Sequence, residues 1–148
     1  MHDFIFRYQF ITIPFIAWLS TQTLKFVFDL ITNRQIDFRR LVGAGGMPSS
    51  HSAFVVSLAT VIGVSEGLES AAFGLAVAFA LVVMYDAAGV RRATGKQAKV
   101  LNRMFHHTKG DLHLEEELKE LIGHTPFEVI AGALLGLAFG LLFMVVLI

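Results

Sequence analysis

The sequence predicts an all-α fold: an integral membrane bundle of four transmembrane helices, plus short amphipathic interfacial helices in the third connection. Three observations carry this. Of the 148 residues 55% are hydrophobic and 16% charged, where a soluble domain has about a quarter charged. Four apolar runs approach the roughly 20 residues a helix needs to cross a hydrocarbon core of about 30 Å. In lipid the backbone must satisfy its polar groups within each segment, so the runs are helices and not strands.

The first run, Phe10 to Ile31, is interrupted only by Gln22, Lys25 and Asp29 near its far end. It is long and lacks a small-residue cleavage site, which argues against a removable signal peptide. The second, His51 to Val64, is short, and its Ser, Ala, Thr and Gly content predicts burial against other helices rather than lipid. Ala71 to Val90 is the third. The fourth, Phe127 to Ile148, has no charge after Glu128, and Gly132, Gly136 and Gly140 recur every four residues. That spacing is a close-packing face, within the bundle or between the two copies of a homodimer. With no cysteine there is no disulfide framework or thiolate metal site. A net charge of zero gives no pointer to nucleic acid. Residues 1–148 read as a single domain.

The connections differ in charge. The first, 32–50, holds Arg34, Arg39 and Arg40 against Asp37; the second, VSEGLES, has two glutamates and no base. The third, 91–123, holds Arg91, Arg92, Lys96, Lys99, Arg103, Lys109 and Lys119. Lys and Arg stay inside, so the first and third connections face the cytoplasm and both termini lie outside the cytoplasmic membrane. Within the third, Val100, Leu101, Met104 and Phe105 have helical spacing, as does the LEEELKELI run at 114–122. Two amphipathic helices at the membrane interface are expected. His106, His107 and His113 between them read as a solvated turn rather than a metal site, because no carboxylate completes a ligand spacing.

This topology gathers scattered polar residues at one depth. Lys25 ends near the cytoplasmic face, His51 opens the second span, Arg91 and Arg92 follow the third, and His124 and Glu128 open the fourth. Ionisable groups near membrane spans are costly and default to function, although Lys25 could equally snorkel or pair with Asp29, and one arginine could be a plain anchor. The loops GGMPSSHSAF (45–54) and GHTPFE (123–128) each open a helix, whose unpaired N–H groups and positive dipole end suit an anion. His124 and Glu128 are four apart, so the carboxylate can fix the imidazole tautomer and stabilise its cation. Two histidines, a carboxylate, fixed cations and two helix N-termini suit phosphoryl transfer through a nucleophilic histidine. Asp86 reads as a partner for one of the arginines or as a helix-packing residue, the first being favoured.

GHTPFEVIAGALLG resembles the third signature of the type-2 phosphatidic acid phosphatases and vanadium haloperoxidases, in which a nucleophilic His is followed four residues on by an acid. MPSSHS resembles their second signature, Pro-Ser-Gly-His, with Ser50 in place of Gly. With YDAAGVRRATGKQA, the chain over roughly residues 10–148 looks like the divergent bacterial and plant membrane branch of that superfamily; a plant homologue would sit in a plastid membrane. The resemblance implies that His124 attacks phosphorus, Glu128 supports it, and His51 protonates the leaving alkoxide. Lys25, Ser49, Ser50 and Arg91 or Arg92 would bind phosphate oxygens. An arginine from the end of the third span is invoked because the family's Ser-Arg pair, six or seven residues before the nucleophile, is here Glu117 and Leu118. No metal and no cofactor are implied, since fixed cations neutralise the phosphate.

The expected activity is hydrolysis of a phosphomonoester headgroup on a membrane phospholipid, of the phosphatidylglycerol phosphate or phosphatidate type, at the cytoplasmic face. An inverted topology would favour undecaprenyl pyrophosphate instead. Two rivals are a silent relative that binds headgroups as a scaffold, and a transporter. A transporter would need ionisable residues at mid-membrane, whereas the polar groups collect at one end.

Overall fold

The computed structural model describes residues 7–33, 46–107, 117–120 and 122–147. The basic residues of the first connection, with Lys109, His107 in its side chain, His113 and the side chain of Asp29, fall outside that description. Among the described residues five helices follow one another: α1 Gln9–Asn33, α2 Ser50–Glu66, α3 Ala71–Ala88, α4 Val90–His107 and α5 Pro126–Leu147.

Among the described residues three stretches are long and apolar enough to cross a membrane: Gln9–Phe28, Ala71–His106 and Pro126–Val146. The third of the expected four-helix set by apolar length is therefore α5, and α2 is the exception. At 17 residues and ~1.5 Å per residue it spans about 25 Å. It is instead the centre of the bundle, packed against α1, α3 and α5. Its small residues explain this. Ser50, Ser52, Ala53, Ser57, Ala59 and Gly63 are all buried, and small side chains let neighbouring backbones approach closely.

The glycines of α5 meet that surface. A Cβ added at Gly132 would collide with the Ser49 carbonyl, and one at Gly136 with the Ala53 carbonyl. At Gly140 it would lie 2.8 Å from the Thr60 side chain. The face that the sequence left open to packing within the bundle or between copies is filled within the bundle. The contacts advance in step along both helices, so α2 and α5 run parallel. At the opposite end α1 meets α2 head to tail, where Gln9 Nε2 donates to Ser65 Oγ at 3.2 Å. The apolar core lies at that end too: Ile13, Val61 and Met144, with Phe10 and Phe143 against them.

Two expectations for the third connection change. The apolar span ends at Ala88, where Gly89 departs from helical torsions (φ −103, ψ −84), and the amphipathic helix begins at once, running Val90–His107 rather than 94–105. The helix expected over 114–122 is not formed in its described part, because residues 117–120 are non-helical. Asn102 is the reason. Its Oδ1 accepts the Leu118 N–H at 3.0 Å and its Nδ2 donates to the Leu118 carbonyl at 2.8 Å. Both groups that a helix would use at Leu118 are taken by one side chain.

Candidate active site

Each of the two histidine loops enters a helix through a side-chain cap. Ser49 is the N-cap of α2, with extended torsions, and its Oγ accepts the Ser52 N–H at 3.4 Å and the Ser52 hydroxyl at 3.0 Å. His51 follows in the first helical turn and is exposed. Ahead of α5, Thr125 Oγ1 accepts the Glu128 N–H and Glu128 Oε2 accepts the Thr125 N–H, each at 3.3 Å. This reciprocal pair is a capping box, with Pro126 at the first helical position where its missing N–H costs nothing.

The same carboxylate oxygen of Glu128 lies 2.9 Å from His124 Nδ1. His124 is only 3% exposed, and its backbone N–H donates to the Ala87 carbonyl at 2.9 Å. The ring therefore stands between the C-terminal end of α3 and the start of α5. Gly123 makes the approach feasible: it adopts φ +87, and a Cβ there would collide with the Arg92 amide. The loops are joined directly, since the Ser49 N–H donates to the Glu128 carbonyl at 3.0 Å.

A small cleft is lined by His51, Val83, Ala87, Arg91, Gly123 and His124. Arg91 Nε is bonded to Asp86 Oδ2 at 2.5 Å, so Asp86 orients the guanidinium, as its placement at the end of the third span suggested. Lys25 joins from a different side. It is 6% exposed, and its methylenes run beside Gly46 in the first loop.

The structure thus brings together His51, His124, Glu128, Arg91 and Asp86, with Lys25 buried beside Gly46 of the first loop. Ser49, Ser50 and Arg92 do not line the cleft. The Ser49 hydroxyl is fully buried and committed to the α2 cap, and Ser50 is buried beside it. Arg92 contributes its backbone, against Gly123. Residues missed by sequence reasoning are Gly95 and Asn102, together with the reciprocal pairing of Thr125 with Glu128. The Thr-Pro-Phe-Glu order is itself a capping-box signature, and a glycine inside an amphipathic helical pattern signals close backbone approach.

Chemically, an imidazole whose Nδ1–H is donated to a carboxylate presents an unprotonated Nε2, and the carboxylate stabilises the cation formed when Nε2 acts as a nucleophile. A second imidazole and a guanidinium border the same space.

Comparison with known proteins identifies the family. The sequence matches the divergent PAP2 family over residues 6–139. It is similar to the uncharacterized membrane protein YuiD of Bacillus subtilis (strain 168), with 38% identity across 82% of this chain and 84% of that protein. No solved structure matches.

Proposed function

The chain belongs to the divergent PAP2 family, and on that premise we propose that this membrane protein is a lipid phosphate phosphatase working through a phosphohistidine on His124. The observation that carries the reading is the 2.9 Å contact of His124 Nδ1 with Glu128, next to a cleft shared with His51 and Arg91. The Nε2 lone pair attacks phosphorus and the P–O bond to the headgroup alkoxide breaks. His51 gives its proton to the departing oxygen while Glu128 stabilises the imidazolium and Arg91 the phosphoryl oxygens. Water then attacks the phosphohistidine, His51 takes its proton, and phosphate leaves with Nε2 regenerated.

The substrate is a phosphomonoester of a membrane lipid, of the phosphatidylglycerol phosphate or phosphatidate type, reached from the cytoplasmic face. An apolar groove of ≈ 520 Å³, lined along α2, α3 and α5 by residues that include Val56, Phe73, Met84 and Leu141, supports a lipid substrate. It reaches Met84 on α3, next to Val83 on the cleft. The orientation rests on the Lys and Arg bias of the connections.

One observation favours the rival, a relative that binds headgroups without turnover. Of the expected phosphate ligands, Arg91 alone lines the cleft. Phosphate release by detergent-purified protein from a panel of phospholipids, wild type beside His124→Ala, with and without vanadate, separates the two. Release that vanadate blocks and the substitution abolishes is expected. No release from any lipid by folded protein would overturn the phosphatase reading in favour of headgroup binding.

A further inference from the structure

We propose that α4 is a seat for an anionic bilayer surface, and that this seating holds His124 in place through the peptide strapped to the opposite side of the helix. α4 contains Arg91, Arg92, Lys96, Lys99 and Arg103 and no acidic residue. Its three sides differ. Gly95, Ala98 and Asn102, spaced three and four apart, are buried. Lys96, Lys99 and Arg103 form an exposed flank at the same spacing. Beyond that flank, Val100 and Leu101 are 56% and 43% exposed.

A basic flank beside an apolar side is the pattern of a helix lying in the headgroup layer of anionic lipid. The bilayer is also the nearest candidate surface, because only Gly89 separates α4 from the apolar α3. Charge and position therefore select an anionic membrane over an acidic protein.

The buried side carries the strap. Asn102, 4% exposed, holds both backbone groups of Leu118, and its Nδ2 also lies 3.0 Å from Glu120 Oε1. A Cβ at Gly95 would collide with the Glu120 carbonyl and lie 2.9 Å from that of Ile122. Gly123 rests on the Arg91–Arg92 backbone, and His124 follows. Between 117 and 123 the described residues are fixed to α4 and its junction with α3, so displacement of α4 carries His124 with it. The functional consequence rests on His124 being the nucleophile; the seat and its coupling to the strap do not.

The test is hydrogen exchange on the full chain in nanodiscs of phosphatidylcholine alone and of phosphatidylcholine with phosphatidylglycerol. Anionic lipid is expected to slow exchange in 92–107 and in 117–124 together, by about fivefold per engaged basic side chain. Lys96→Gln with Lys99→Gln and Arg103→Gln should remove the lipid dependence in both segments while exchange in α2 and α5 stays that of the folded protein. Asn102→Ala should leave the dependence in α4 and remove it from the strap. Equal wild-type exchange in the two discs would overturn the seat. A response of α4 without the strap would overturn the coupling. Neither result depends on turnover, so failure of the phosphatase reading is read separately, from phosphate release.

Discussion

The two histidine loops look alike in sequence and are built differently. Both place a hydroxyl residue at a helix start and a histidine within two positions of it. In the first loop His51 comes after the cap, inside the opening turn of α2, and is exposed. In the second His124 comes before the cap and is buried, held by Ala87 through its backbone and by Glu128 through its ring. The order of cap and histidine decides which ring is fixed. A fixed ring with one nitrogen committed suits a nucleophile, whose lone pair must be aimed; an exposed ring suits proton transfer to and from a group that leaves. The second loop also uses Glu128 twice, for the helix cap and for the imidazole, so folding of α5 and orientation of His124 depend on one side chain.

Substitutions can break or sharpen this contrast. His124→Ala should lower phosphate release by at least about 10³-fold on every substrate, since it removes the nucleophile itself. Glu128→Gln should cost about 10²- to 10⁴-fold, as loss of the tautomer-fixing carboxylate does in triads. His51→Ala should cost about 10²-fold with an alkyl phosphate and far less with an aryl phosphate, whose leaving group needs no proton. Equal losses on the two esters would mean that His51 is not the acid and would erase the division of labour.

Smaller effects concern the frame. Gly132→Ala should destabilise the protein by about 1–3 kcal/mol in thermal unfolding, because the new methyl meets a backbone carbonyl that cannot move aside. Ser49→Ala and Thr125→Ala should each cost ~1 kcal/mol as lost caps. Of these two, Thr125→Ala alone should also lower turnover, through Glu128; equal turnover in both variants would separate the capping box from the chemistry.

Much of the fold was legible because lipid leaves the chain few options. The apolar runs 10–31, 71–90 and 127–148 lie close to α1, α3 and α5, with boundaries moved by a residue or two at Gly89 and Pro126. The small-residue run at 51–64 was read correctly as buried, for the reason that small side chains invite close neighbours. His51, His124, Glu128 and an arginine were gathered from their common depth alone, and they do meet. What failed was local pattern read without its partner. LEEELKELI has helical spacing, yet Leu118 gives its backbone to Asn102, sixteen residues earlier. Ser49 was read as a phosphate ligand, but a hydroxyl at a helix start has a nearer use in the cap. The first outcome is visible only once the tertiary contact is known; the second is a local bond to Ser52, three residues on.

The glycine ladder has a consequence of another kind. Gly132, Gly136 and Gly140 face a run on α2 in which Ser49, Ala53 and Ser57 are likewise four apart. Two rulers with the same graduation can be read at more than one setting. Sliding α5 by one turn, about 5.4 Å, would seat Gly136 on Ser49 and Gly140 on Ala53 with similar closeness. The bond from the Ser49 N–H to the Glu128 carbonyl is made at one setting only. Together with the bond from the His124 N–H to the Ala87 carbonyl, it indexes the ladder and thereby sets how far apart the two imidazoles stand.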